Sequence, residues 1–370
     1  MDNPPPSSTP GRLVSLDVLR GFDMFWILGV EELAAALGKA SDSPVAAFVA
    51  TQLDHVAWQG FHFLDLIFPL FVFISGVSLV FSVSRSLETR GRAATLRKAA
   101  VRALILFLLG LFCYGGISGG WEKVRWLGVL QRIAICGLAA SVAFVFLRVR
   151  GLIWLTLGLL GSYWALMCFV PFPGGSAGSF AEGANLANWM DSQFLPGRKW
   201  DGDHDPEGLL STLPAIATAL LGVLTGIFLR GNSMSRVKQA ASLIGCGALL
   251  AAGGWAWDLQ FPVIKKLWTS SYVLVAGGYS LAMLGLFLAV VDGAGWRRWA
   301  TPFIWIGMNP ITLYMSHHLI DYEKMANRLG GGPLADSLGV WGPVWIASLV
   351  LGQCLVLAWF LHKRGIFLKV

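Results

Sequence analysis

The chain has 370 residues, of which 55% are hydrophobic and only 13% charged, with a formal net charge of +7. That charged share is about half the usual value for a soluble domain. It excludes a large water-soluble core and leaves an all-α, polytopic integral membrane bundle. The positive surplus requires no nucleic acid, because no basic patch with interleaved aromatics accompanies it.

Residues 1–14 are rich in Pro and Ser and hold no apolar core of a cleavable signal peptide. They read as a disordered cytoplasmic N-terminus ahead of one transmembrane domain over 15–370, whose first apolar stretch acts as an uncleaved signal-anchor. With roughly 20 residues needed per crossing, about ten helices are expected. They fall near 20–38, 62–84, 101–118, 126–147, 151–171, 209–229, 239–257, 271–292, 301–319 and 341–362. One alternating set of connections, which includes Arg12, Arg85 to Arg102, Arg148, Arg230 and Lys369, carries 17 basic residues, and the other set carries nine. The richer set is expected in the cytoplasm. This puts both termini and an 85–102 loop inside, and residues 39–61, 119–125, 172–208, 258–270 and 320–340 outside.

Several polar groups are not explained by apolar packing. Asp17, Arg20 and Asp23 stand three apart on one helical face. They make either a local ion pair or an anion site, since guanidinium binds phosphate by paired contacts. His55 and Asp65 lie ten residues apart, just ahead of the apolar run 66–83. An imidazole there can exchange a proton near neutral pH; the competing reading is an interfacial histidine beside a structural carboxylate. Gln131 and Arg132 come early in the fourth span, where an arginine needs a partner or a ligand phosphate. DPEGLLST at 205–212 reads as a helix opening, with Asp205 as cap, Pro206 in the first turn and Glu207 at the positive end. Asn309 and Pro310 interrupt the ninth span, and broken helices at membrane depth line sites rather than face lipid. His317, near its outer end, is either a second functional imidazole or an interfacial one.

The five cysteines form no CxxC pair and read as small packing residues. His204 among Asp201, Asp203 and Asp205 reads as part of a flexible acidic loop, and no metal is expected. No Walker A, GxGxxG, HExxH or GxSxG pattern is present.

Six segments, in order, carry a resemblance: SLDVLRGFDM (15–24), HVAWQGFHFLDLIFPLFVFISG (55–76), GVLQRIAICG (128–137), DPEGLLSTLPAIATALLGVLTG (205–226), KKLWTSSYVL (265–274) and GMNPITLYMSHHLI (307–320). Together they resemble the heparan-α-glucosaminide N-acetyltransferase family of transmembrane acyltransferases and its bacterial relatives. The resemblance implies transfer of acetyl from cytosolic acetyl-CoA, the co-substrate, to a sugar amine on the far side of the membrane. The family's catalytic histidine in HxxWxG falls on His55, its aspartate in DLxFPxFxF on Asp65, and its histidine after GMN on His317. Asn309 and Glu31 join His317 as candidates for a second catalytic or acceptor-binding role. Where the family has an asparagine near the outer end of the first span, the corresponding region of this sequence reads GVEELAAALGK, with Glu31 and Glu32. Asp17, Arg20, Gln131 and Arg132 are the candidates to hold acetyl-CoA. The expected acceptor is glucosamine-like or another amine, the expected location a bacterial inner membrane in contact with lipid, and a homodimer is one candidate assembly. The rival reading is a permease for amino sugars or cell-wall fragments, which would use the same basic face and broken helices without chemistry.

Overall fold

The structure, a computed structural model, describes residues 13–41 and 43–367. The expectations for residues 1–12, Arg12 included, and for Lys369 lie outside the described residues. Within them the chain is helical, with isolated bridges and no strand. The helices are α1 (Val14–Phe25), α2 (Glu31–Ala40), α3 (Pro44–Gln52), α4 (Ile67–Cys113), α5 (Val129–Phe146), α6 (Val149–Phe169), α7 (Leu186–Phe194), α8 (Thr212–Gly231), α9 (Arg236–Trp257), α10 (Ser270–Phe287), α11 (Thr301–Met308), α12 (Pro310–Leu319), α13 (Tyr322–Gly330), α14 (Pro333–Ser337) and α15 (Gly342–Lys363).

Seven runs among the described residues are long and apolar enough to cross a bilayer: Phe63–Cys113, Val129–Phe146, Val149–Phe169, Thr212–Gly231, Arg236–Trp257, Ser270–Gly293 and Gly339–Lys363. The first of these takes in two of the expected spans. At 1.5 Å per residue, a straight α4 would be about 70 Å long, more than twice the hydrocarbon thickness of a membrane. It does not run straight. Gly91 adopts φ +75°, and Thr95 Oγ1 donates to Ser86 Oγ at 2.9 Å. Residues nine apart in a straight helix lie roughly 13 Å apart, so α4 doubles back at Gly91 into two limbs. The charged stretch 85–102, expected as a loop, is therefore helix on both sides of a single glycine turn.

The expected spans 20–38 and 301–319 are broken helices. The first is interrupted over Trp26–Val30, where Gly29 sits at φ +107°. Only glycine reaches that conformation without strain. The second breaks at Asn309, because Pro310 has no N–H to continue the helical ladder.

α4, α8 and α10 form the centre. Gly76 lies against the Ala219 backbone and Gly222 against that of Phe73, with no room for a Cβ at either. Such small-residue contacts let membrane helices approach closely. In α6, α9 and α15 only 28%, 28% and 22% of the most apolar stretch is buried. Their outer faces expose Trp154, Leu249 and Val356. An apolar belt of that kind suits lipid and not water, and the chain is a multi-pass membrane protein.

The connections gather at two ends. One end holds the Gly91 turn, the Glu88–Arg230 ion pair and the start of α1, tied to the end of α10 by Ser15 N–H donating to Asp292. The other end holds residues 53–62, 114–128, 170–211 and 258–269, joined by Gln59 to Ile264 and Arg125 to Gly197 bridges.

Candidate active site

Asp65 organises the second end. It lies in the tight turn Phe63–Leu66 that opens α4, and it is fully buried. The turn aims its own backbone at the carboxylate: His62 N–H donates to Oδ2 at 2.9 Å and Val56 N–H at 3.3 Å. His55 Nδ1 meets Oδ1 at 2.9 Å, and Lys265 Nζ stands 3.2 Å from the same oxygen. Tyr272 O–H donates to the Asp65 carbonyl at 2.7 Å and fixes the turn from α10. A buried carboxylate that gathers two backbone donors, an imidazole and an ammonium has its charge compensated on every side.

The acceptor at Nδ1 assigns the histidine proton there and leaves Nε2 with the lone pair. His55 is about half exposed, at 47%, while its partner carboxylate is 1% exposed. The imidazole therefore has one side held by protein and one open. Lys265 Nζ is 2.8 Å from Nδ1 and 3.1 Å from Nε2. A single atom at those distances from both nitrogens lies over the ring face, not in the ring plane. Burial pushes the Lys265 ammonium below its ordinary value, with Asp65 pulling the other way.

Lys265 was not among the expected site residues. Its sequence signal, a Lys-Lys pair at a span edge, is that of any interfacial lysine. The turn that delivers it is distinctive: Trp268 is the one non-glycine residue at positive φ among the described residues, at +52°. A left-handed residue of that size costs about 1–3 kcal/mol unless its surroundings hold it. Trp268 is held by its indole N–H on Thr218, by the rings of Phe68 and Tyr272, and by Arg132 over its face at 4.9 Å.

Glu31 belongs to the same neighbourhood, within electrostatic range of His55, Lys265 and Asp54. The break at Gly29 places it there by restarting the helix at Glu31. His317 lies within range of Glu32, the next residue, and its ring is 6.0 Å from Tyr322. Asn309 is set apart: its amide donates to the Ile366 carbonyl at 2.9 Å, joining the helix break to the C-terminal tail.

The four residues expected to hold acetyl-CoA fall in two places. Arg20 stays inside the bundle, 3.5 Å from Asp17, reaching Ser78 on α4 and the Gly307 carbonyl on α11. Gln131 and Arg132 lie at the His55 end. Gln131 donates to the Arg125 carbonyl, and Arg132 donates to Ser211 and the Gly208 carbonyl. A third basic place is a groove of about 510 Å³ that includes Arg148 and Arg230, at the Gly91 end and away from His55.

Beside Arg132 is a closed network. Arg125 donates to Asp205 at 2.8 and 2.9 Å and to Glu207 at 2.6 Å, between the rings of Tyr114 and Trp200. Burial works against its charge, but the two carboxylates outweigh this and hold the guanidinium above its ordinary value. Asp205, Pro206 and Glu207 were expected to open the helix, but α8 begins only at Thr212 with Ser211 at its N-cap. Asp205 instead accepts from Glu207 N–H at 3.0 Å in a turn ahead of the helix and binds the arginine. Asp191 accepts from Leu209 N–H at 2.8 Å, and burial raises its carboxyl to about 6.

The fold and this cluster define a multi-pass helical membrane protein with a His–Asp–Lys site at one end. No family model matches the chain. The chain is similar to heparan-alpha-glucosaminide N-acetyltransferase of Mus musculus, at 28% identity over 85% of this chain and 56% of that protein. It is also similar to the protein of the same name from Homo sapiens, at 27% identity over 98% of this chain and 61% of that protein. Both relatives carry the family name that the six motifs point to. The chain spans somewhat more than half of their length.

Proposed function

We propose that this chain is a transmembrane N-acetyltransferase that passes acetyl from cytosolic acetyl-CoA to an amine at the opposite side, with His55 as base. The observation that carries this reading is the His55–Asp65 contact: a buried carboxylate on Nδ1 of an imidazole that is about half exposed. An amine attacks a thioester only in its unprotonated form. His55 Nε2 takes the amine proton as the N–C bond forms. The C–S bond then breaks, and the thiolate of CoA leaves and is protonated. Asp65 orients the ring and stabilises the imidazolium, in the manner of other base–orienter pairs. Lys265 neutralises Asp65 between turnovers. Acetyl transfer through a covalent acetyl-His55 uses the same atoms in two steps, and trapping of acetyl-enzyme without acceptor separates the two routes.

The reading includes ten crossings, counting the two broken helices, with the Gly91 end in the cytoplasm of a bacterial inner membrane. The acceptor is an amino sugar or related envelope amine. Arg20 and the basic groove with Arg148 and Arg230 supply positive charge on the donor's path. Purified protein in vesicles, given labelled acetyl-CoA and glucosamine, tests it. His55→Ala is expected to lose transfer while still binding CoA. Normal transfer by that variant would overturn the assignment, and failure of the wild-type chain to bind CoA would favour the permease.

A further inference from the structure

A second cluster lies one residue away in sequence from the site lysine. Lys266 reaches the long loop between α6 and α8. There its Nζ is 2.8 Å from Glu182 Oε1 and 3.2 Å from Asp201 Oδ2. His204 completes the group. Its Nδ1 meets Asp203 Oδ1 at 2.6 Å, and its Nε2 faces Asp201 Oδ2 at 3.7 Å and Glu182 Oε1 at 4.0 Å. The residue is 4% exposed, and Nε2 has no hydrogen-bond partner.

The carboxylate on Nδ1 assigns the proton to that nitrogen, so Nε2 presents a lone pair. Three acceptors, one nitrogen and two carboxylate oxygens, then converge within 4.8 Å of one another. Acceptors facing acceptors in a partly buried place require a cation among them. The Lys266 ammonium supplies charge to the two carboxylates and leaves the imidazole nitrogen unsatisfied. A carboxylate holding the far nitrogen of a histidine is also the usual outer partner of a metal-ligating imidazole.

We infer that Glu182, Asp201 and His204 form a site for a divalent transition-metal ion of the zinc type, which enters in exchange for the Lys266 ammonium. One nitrogen and two carboxylate oxygens suit zinc, which takes four ligands of this kind and leaves a position for water. The all-oxygen shells of calcium and magnesium fit poorly. The ligands flank α7: Glu182 lies before it and Asp201 and His204 after it. A bound ion clips the two ends of this loop together beside the Lys265–Trp268 turn.

The test is Zn²⁺ titration of the full chain in detergent, with Ca²⁺ as the comparison and X-ray absorption to identify the ligands. One saturable Zn²⁺ per chain is expected, with a single imidazole nitrogen in its shell and no competition by Ca²⁺. His204→Ala should abolish it, and Asp203→Asn should weaken it about 10–100-fold, the usual effect of losing an outer-shell partner. Lys266→Ala should bind more tightly, because no ammonium competes. Absence of saturable binding in the wild-type chain overturns the inference, as does binding that His204→Ala leaves unchanged or a shell without nitrogen. Should His204→Ala fail to fold, Asp203→Asn and the absorption spectrum decide alone.

Discussion

The His55–Asp65–Lys265 cluster and the Arg125–Asp205–Glu207 network lie at the same end of the molecule and use the same chemistry of buried carboxylates and cations. They differ in closure. Arg125 spends three guanidinium contacts on two carboxylates, lies between two rings, and is itself 5% exposed. Nothing in that network has a free side. In the first cluster the buried Asp65 is satisfied but hands its charge to an imidazole that is about half exposed. Charge sealed on all sides holds loops together, whereas charge sealed on one side and offered on the other can do chemistry. DPEG and HxxW…D look equally rich in charge as sequence, and this difference is what separates a structural network from the cluster proposed to do chemistry.

The contrast can be broken by substitution, and the largest effect is expected at the open cluster. Asp65→Asn should lower kcat for acetyl transfer about 10²–10⁴-fold, the range that a positioned base contributes. The protein should remain folded by circular dichroism, and near-normal kcat would remove Asp65 from the mechanism. At the closed network the loss should be in stability. Arg125→Ala leaves Asp205 and Glu207 buried without a cation, at a cost of about 3–5 kcal/mol. Thermal unfolding in detergent should show a large fall in Tm; an unchanged Tm would mean that the network is not sealed.

Asp191 gives a pH test of the same closed region. Its carboxyl is raised to about 6, above an ordinary value of 3.8, because burial disfavours the charged form. A raised carboxyl stabilises the fold where it is protonated, below its unfolded value, and loses that contribution as pH rises through about 6. The contribution is at most roughly 3 kcal/mol at 1.36 kcal/mol per pKa unit. Tm should therefore decline between pH 4 and 7 by more in the wild type than in Asp191→Asn; identical slopes would refute this origin.

The smallest expected effect separates Lys265 from Asp65. Lys265→Ala removes an ammonium 3.2 Å from Asp65 but leaves the His55–Asp65 contact in place, so kcat should fall less than in Asp65→Asn. An equal or larger fall would mean that Lys265 does more than balance the carboxylate.

Much of this arrangement was legible in the chain. The eight apolar spans that appear as seven runs were read within a few residues, because lipid tolerates no unsatisfied backbone and a 20-residue apolar run has few other uses. The helix breaks differed: Pro310 announces itself, whereas the turn at Gly29 resembles any glycine in an apolar stretch. The 85–102 segment was misread as a loop because Arg and Lys are good helix formers whose charges say only where water begins. His55 and Asp65 stood out since ionisable groups at a span edge are rare. Lys265 did not, because a lysine at an interface is ordinary.

By itself, then, the sequence determined the helical class and the positions of the long spans, and it singled out His55 and Asp65, which the structure brings into contact. Those follow from local terms: apolar run length, the missing N–H of proline, and the rarity of charge beside lipid. Only the tertiary structure decided that Lys265 lies over the His55 ring, that Arg132 reaches Ser211 at the His55 end while Arg20 stays in the bundle, and that His204 faces two carboxylates. Lys265 and His55 are 210 positions apart, and Arg132 and Ser211 are 79 apart. These pairings depend on how helices cross and turns strain, which no local pattern encodes.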